Sequence, residues 1–73
     1  MEYTNSQIMG IIGEWIHSER DREVLCYKFI DGLTIDQICT RYQAKHPEYY
    51  LSCDTIKRII RKNENLIFNH LPG

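Results

Sequence analysis

The stretch from Cys53 to Leu71 contains neither glycine nor proline, and this limits the fold more than any other feature. Ile56, Ile59, Ile60 and Ile67 recur along it on one helical stripe, with Leu66, His70 and Leu71 on the flanks. Ser52 stands just before it, and a serine hydroxyl there can accept from the free amides of a first helical turn. The pattern predicts one helix of nearly twenty residues, about 30 Å long. The alternative is a break near Asn63 to Asn65. Pro72 and Gly73 are expected to end the helix. Its other side carries Lys57, Arg58, Arg61 and Lys62, with Asp54 at the start of that face. Such a helix packs by one side and offers cationic donors on the other, as a helix entering a DNA groove must. A plain solvated surface helix has the same pattern, so the rest of the chain has to decide.

Seventy-three residues make one small domain with room for three to five helices and little room for a deep cleft. That lowers the expectation of an enzyme. Asp21 with Glu23, and Asp31 with Asp36, are read as helix-end charges rather than paired catalytic carboxylates. The net charge of −1 excludes a strongly basic footprint, but the charge is unevenly spread. The stretch from Met1 to Asp36 carries −4, and the stretch from Gln37 to Asn63 carries +4. A charge dipole of that kind permits oriented approach to a polyanion. Cys26, Cys39 and Cys53 are widely spaced, and with His17, His46 and His70 they form no metal-ligand motif. No metal site and no cofactor are expected. An odd cysteine count without a signal sequence suggests reduced thiols and a cytoplasmic protein. No apolar run is long enough to span a membrane.

In chain order, residues 1–5 read as a frayed lead, with Asn5 or Ser6 as the cap of a first helix. Ile8, Ile11, Ile12, Trp15 and Ile16 form its apolar stripe. Gly10 and Gly13 lie off that stripe, either as surface glycines or as points of close backbone contact. Ser18 starts a second helix, with Asp21 completing what resembles a capping box. Leu25, Cys26, Phe29 and Ile30 are its expected buried side, and Gly32 is its stop. Thr34 and Gln37 form a capping box for a third helix, with Ile35, Ile38, Cys39 and Tyr42 on one stripe. It should run to Gln43 or Lys45, because Pro47 disfavours helix at His46. Tyr49, Tyr50 and Leu51 are too apolar for a loop free of the core, so at least one should pack. Phe68 with Leu71 would mark a dimer patch. No strand, repeat or linker is apparent, and the fold class is all-α: a small four-helix domain with a long last helix.

Three segments then occur in order: DREVLCYKFIDGLT, TIDQICTRY and SCDTIKRIIRK. Together they resemble the helix-turn-helix in the fourth conserved region of bacterial sigma factors. The resemblance rests on Arg22, Glu23, Val24, Leu25, Phe29, Gly32, Thr34, Ile38, Cys39, Ser52, Thr55, Ile56 and Arg58, and spans residues 18–71. The chain is also similar to small stand-alone sigma-like proteins of phage and mobile elements in Gram-positive bacteria. The DNA-binding domains of LuxR-type response regulators share much of the pattern.

The resemblance implies a sequence-specific DNA-binding transcription regulator whose recognition helix covers residues 52–62. It implies that Cys53, Asp54, Lys57 and Arg58 face base edges, and that Thr34, Arg61 and Lys62 contact phosphates. Double-stranded DNA is then the main partner, with RNA polymerase and a second copy of the chain as further ones. Two departures accompany it. The family joins its two helices by roughly three or four residues, whereas residues 43–51 intervene here as an inserted turn or loop. Nothing resembles the sigma region that melts a promoter, so this chain alone is not a complete sigma factor. The other implied function is a protein-interaction module, for example one that binds RNA polymerase, with the fold kept and DNA binding lost. Phe68, Leu71, Tyr49 and Tyr50 would then supply its contacts.

Overall fold

Each of the four helices starts on a serine or a threonine whose hydroxyl accepts from the amide three residues on. The pairs are Thr4 with Gln7 at 3.1 Å and Ser18 with Asp21 at 3.3 Å. Thr34 with Gln37 and Ser52 with Thr55 follow, both at 3.2 Å. Removing such a cap typically costs about 1 kcal/mol. In the computed structural model, which describes residues 4–71, these caps open α1 (Asn5–Trp15), α2 (Glu19–Phe29), α3 (Ile35–Lys45) and α4 (Cys53–His70). The described residues contain no strand. The domain is all-α, as the periodicity predicts, and α4 is unbroken through Asn63 to Asn65. The expected stop at Pro72 and Gly73 lies outside the described residues.

Two caps differ from expectation. Thr4, not Asn5 or Ser6, caps α1, because Gln7 returns a bond from its side chain to the Thr4 amide at 2.9 Å. Thr4 and Asn5 are therefore part of the helix start rather than of a frayed lead; residues 1–3 lie outside the described residues. The Ser18 box is only half formed. Asp21 leaves its reciprocal bond unmade and meets the Arg20 guanidinium at 3.2 Å.

Helices α2 and α4 each pack against all three of the others, while α1 and α3 flank them without touching each other. The core is Ile11, Ile12 and Ile16 with Val24 and Leu25, then Ile38 and Tyr42, then Ile56, Ile59, Ile60, Ile67 and Leu71. The buried face of α2 runs through Asp21, Val24 and Leu25; Leu25 is buried as expected, while Asp21 and Val24 take the places expected of Cys26, Phe29 and Ile30. Neighbours on several sides leave Cys26, Phe29 and Ile30 half-buried. Trp15 also departs from its stripe. It is 45% exposed and lies over the His70 ring, with centroids 4.2 Å apart. Leu71 is buried, so it is not part of a surface patch with Phe68, whose ring meets Phe29 edge-on at 5.7 Å. Asn63 is a polar residue on the apolar stripe of α4. Its amide donates back to the Ile59 carbonyl at 2.9 Å, which satisfies it inside an intact helix.

The glycines separate into two kinds. Gly32 has φ of +69°, and the turn it makes lets the Leu33 amide donate to the Tyr27 carbonyl at 3.0 Å. A Cβ there has space around it, but the left-handed backbone costs an L residue about 1–2 kcal/mol. Gly10 is ordinary helix with nothing near its Cβ position, which removes the close-contact reading for it and for Gly13. Gly32→Ala should therefore lower stability by about 1 kcal/mol, and Gly10→Ala should raise it by nearly as much, ~0.8–1 kcal/mol. Urea unfolding of the two variants checks the opposite signs.

Candidate nucleic-acid interface

Capping and burial together set the orientation of α4. Ser52 fixes where the helix begins, and Ile56, Ile59, Ile60 and Ile67 hold one side in the core. Lys57, Arg58, Arg61 and Lys62 are consequently all exposed, as is Asp54 in the first turn. From Lys57 to Lys62 the helix rises about 7.5 Å, so the four cations form one short band. Among the described residues none of the four is in an ion pair. Asp54 sits where the positive end of the helix dipole favours a carboxylate.

The remaining expected contacts are placed differently. Cys53 is less exposed than Lys57 and Arg58. It is half-buried, and its sulfur is bonded to that of Cys39 on α3. The pairing with Cys39 differs from the expectation of three reduced thiols. Packing of α3 on α4 brings together two cysteines that are 14 residues apart in sequence. Thr34 is exposed at the start of α3, a different element from the cationic band. Its amide and that of Gln37 are used by the reciprocal capping box, and Asp36 adds a carboxylate to the same turn.

The long connection between α3 and α4 divides into two parts. Helix α3 continues to Lys45, and His46 to Ser52 then form a turn in which the Tyr49 amide donates to the His46 carbonyl at 3.1 Å. Leu51 packs against the core, while Tyr49 and Tyr50 stay 67% and 81% exposed. The start of the turn is fastened to α2. His46 Nε2 lies 2.9 and 3.0 Å from the two carboxylate oxygens of Glu23. The Tyr27 hydroxyl donates to Glu23 at 3.0 Å, and Lys45 Nζ lies 3.9 Å away. Burial, reinforced by the hydrogen bond to Glu23 and its charge, pushes the Tyr27 phenol up to about 12. Tyr27 therefore remains a neutral donor. Tyr42 stacks on the His46 ring at 4.5 Å, and burial raises its phenol as well. Lys45 is thus drawn towards α2, and the connection leaves the cations of α4 uncovered.

Two of these features were not foreseen. The Glu23–His46 contact joins residues 23 apart, and no local pattern announces it. The Arg22 guanidinium reaches back to the end of α1, donating from Nε to the Ile16 carbonyl and from Nη2 to the Gly13 carbonyl at 2.8 Å. It satisfies carbonyls that a helix end leaves open. A cation seven residues beyond Trp15, the last residue of α1, was the available signal. No helix among the described residues is long and apolar enough to cross a membrane. Compared with protein-family models, with curated proteins and with solved structures, the chain matches none of them.

Proposed function

We propose that this protein is a cytoplasmic, sequence-specific DNA-binding transcription regulator of a phage or mobile element, using α3 and α4 as a sigma-like helix-turn-helix. The observation that carries the reading is the band Lys57, Arg58, Arg61 and Lys62: exposed, unpaired among the described residues, and on a helix locked from behind by its isoleucines. Guanidinium and ammonium groups so placed can donate to guanine acceptors and to phosphates. The capped start of α4 and the fastening of the connection to α2 support the reading, because they leave this face open to a duplex. Duplex binding through four such cations should weaken with salt, with log K falling against log salt at a slope of roughly −3 to −4. Selection of binding sites from random duplexes at two salt concentrations tests this. An enriched motif with that slope is expected. No enrichment and a flat salt response would refute the reading.

Exposed Tyr49 and Tyr50, next to the start of α4, favour a second reading in which the domain binds RNA polymerase. Aromatic side chains are frequent anchors of protein interfaces. Capture of polymerase from a bacterial extract that persists after nuclease treatment, and is lost in Tyr49→Ala/Tyr50→Ala, is the result expected of it.

A further inference from the structure

Cys39 lies mid-way along α3, and Cys53 is the first residue of α4. Their Cα atoms are 5.9 Å apart, inside the span of about 4.4–6.8 Å that a disulfide bridges without moving the backbone. Helix packing holds the two residues together independently of the bond, because Ile38 and Ile56 beside them are fully buried in the core. Both sulfur-bearing residues are only half-buried, and both line an open cleft of about 550 Å³ between α3 and the connection. Gln43, in the same cleft, has a buried side-chain oxygen without a hydrogen-bond partner. Cys26 is the remaining cysteine; it is unpaired on α2.

We infer that Cys39 and Cys53 are a reversible redox couple, exchanged by small disulfides and thiols of the glutathione class through this cleft. The closed bond ties the first turn of α4 to α3. Cys53 opens α4, where the positive end of the helix dipole favours the thiolate. The Cys53 thiolate attacks one sulfur of the small disulfide, breaks its S–S bond and expels one thiolate. Cys39 loses its proton to water and attacks the Cys53 sulfur, expelling the second thiolate. Two protein thiols are oxidised, and one small disulfide is reduced to two thiols. Excess thiol runs the sequence backwards. The bond closes a ring that contains the whole connection, so opening it removes one constraint on residues 46–52, while the His46–Glu23 contact, Leu51 and the isoleucine core stay in place.

The test uses the intact chain in glutathione buffers stepped from fully reduced to fully oxidised, then quenched with acid, alkylated and weighed. At the oxidised end neither Cys39 nor Cys53 should take a label, and at the reduced end all three cysteines should. Cys26→Ala should shift from no label to labels on Cys39 and Cys53. Amide exchange across residues 46–56 should be about ten-fold faster in the reduced form. Three labels at every buffer ratio would overturn the inference. So would a bond that survives excess reduced glutathione in the folded protein, or exchange rates equal in both forms. None of these readouts involves DNA, so they stand or fall apart from the DNA-binding reading.

Discussion

Reversing the charge at Arg58 and Arg61 together, as Arg58→Glu/Arg61→Glu, is expected to abolish duplex binding and leave the fold intact. Both side chains are exposed and unpaired among the described residues, so the helix loses no internal partner. Substitutions at such sites usually change stability by less than about 0.5 kcal/mol. On DNA the loss is larger. A well-placed arginine on a base edge contributes about 1–3 kcal/mol of discrimination, and each glutamate adds repulsion from phosphate. Together the two changes should weaken binding by about a thousand-fold, which corresponds to roughly 4 kcal/mol. Fluorescence anisotropy with the selected duplex reads the affinity, and a circular dichroism melt reads the fold. Unchanged affinity in a folded variant would end the claim that this face reads DNA.

The largest loss of stability should come from Ile56→Ala. Ile56 is fully buried on α4, in a core to which all four helices contribute. Truncating a buried isoleucine to alanine typically costs 2–5 kcal/mol, the removed methyl groups adding to the cavity left behind. A domain of 73 residues has a total stability of only about 4–11 kcal/mol. The variant should therefore lose about half its stability, and its Tm should fall by roughly 10–25 °C. Phe68→Ala is the contrast. That ring is 52% exposed, and its removal should cost under about 1 kcal/mol. Guanidinium unfolding of the two variants gives the comparison. A loss below 1 kcal/mol for Ile56→Ala would mean that α4 is not anchored where the packing places it.

Local chemistry made most of the backbone legible in advance. Ser18, Thr34 and Ser52 are caps because a short hydroxyl side chain competes well for open amides, and Gly32 is a stop because the turn needs a positive φ. The T-x-x-Q pattern of Thr4 and Gln7 carried the same information as that of Thr34 and Gln37, yet Asn5 and Ser6 beside it masked it. What stayed hidden depends on tertiary neighbours. The α2 face is set by α1, α3 and α4 at once, so its own periodicity finds Leu25 but misses Asp21 and Val24. Cys39 with Cys53, and Glu23 with His46, meet only after helices pack. At the candidate site the cationic band could be read from spacing alone. The pairing of Cys53 could not, because its partner lies on α3.

Helix α4 is supported at both ends. Its first turn is tied to α3 through Cys53, and its last turn carries His70 under Trp15 of α1, with Leu71 following into the core. With the Cys39–Cys53 bond closed it is, in mechanical terms, a clamped beam, not a cantilever. Without glycine or proline along its length it has no hinge. A tilt of even 5° about one end of a rod about 27 Å long would carry the other end some 2 Å, and two clamps suppress that tilt. Lys57, Arg58, Arg61 and Lys62 therefore present a charge template of fixed pitch, and a partner that meets it has to supply the conformational adjustment itself.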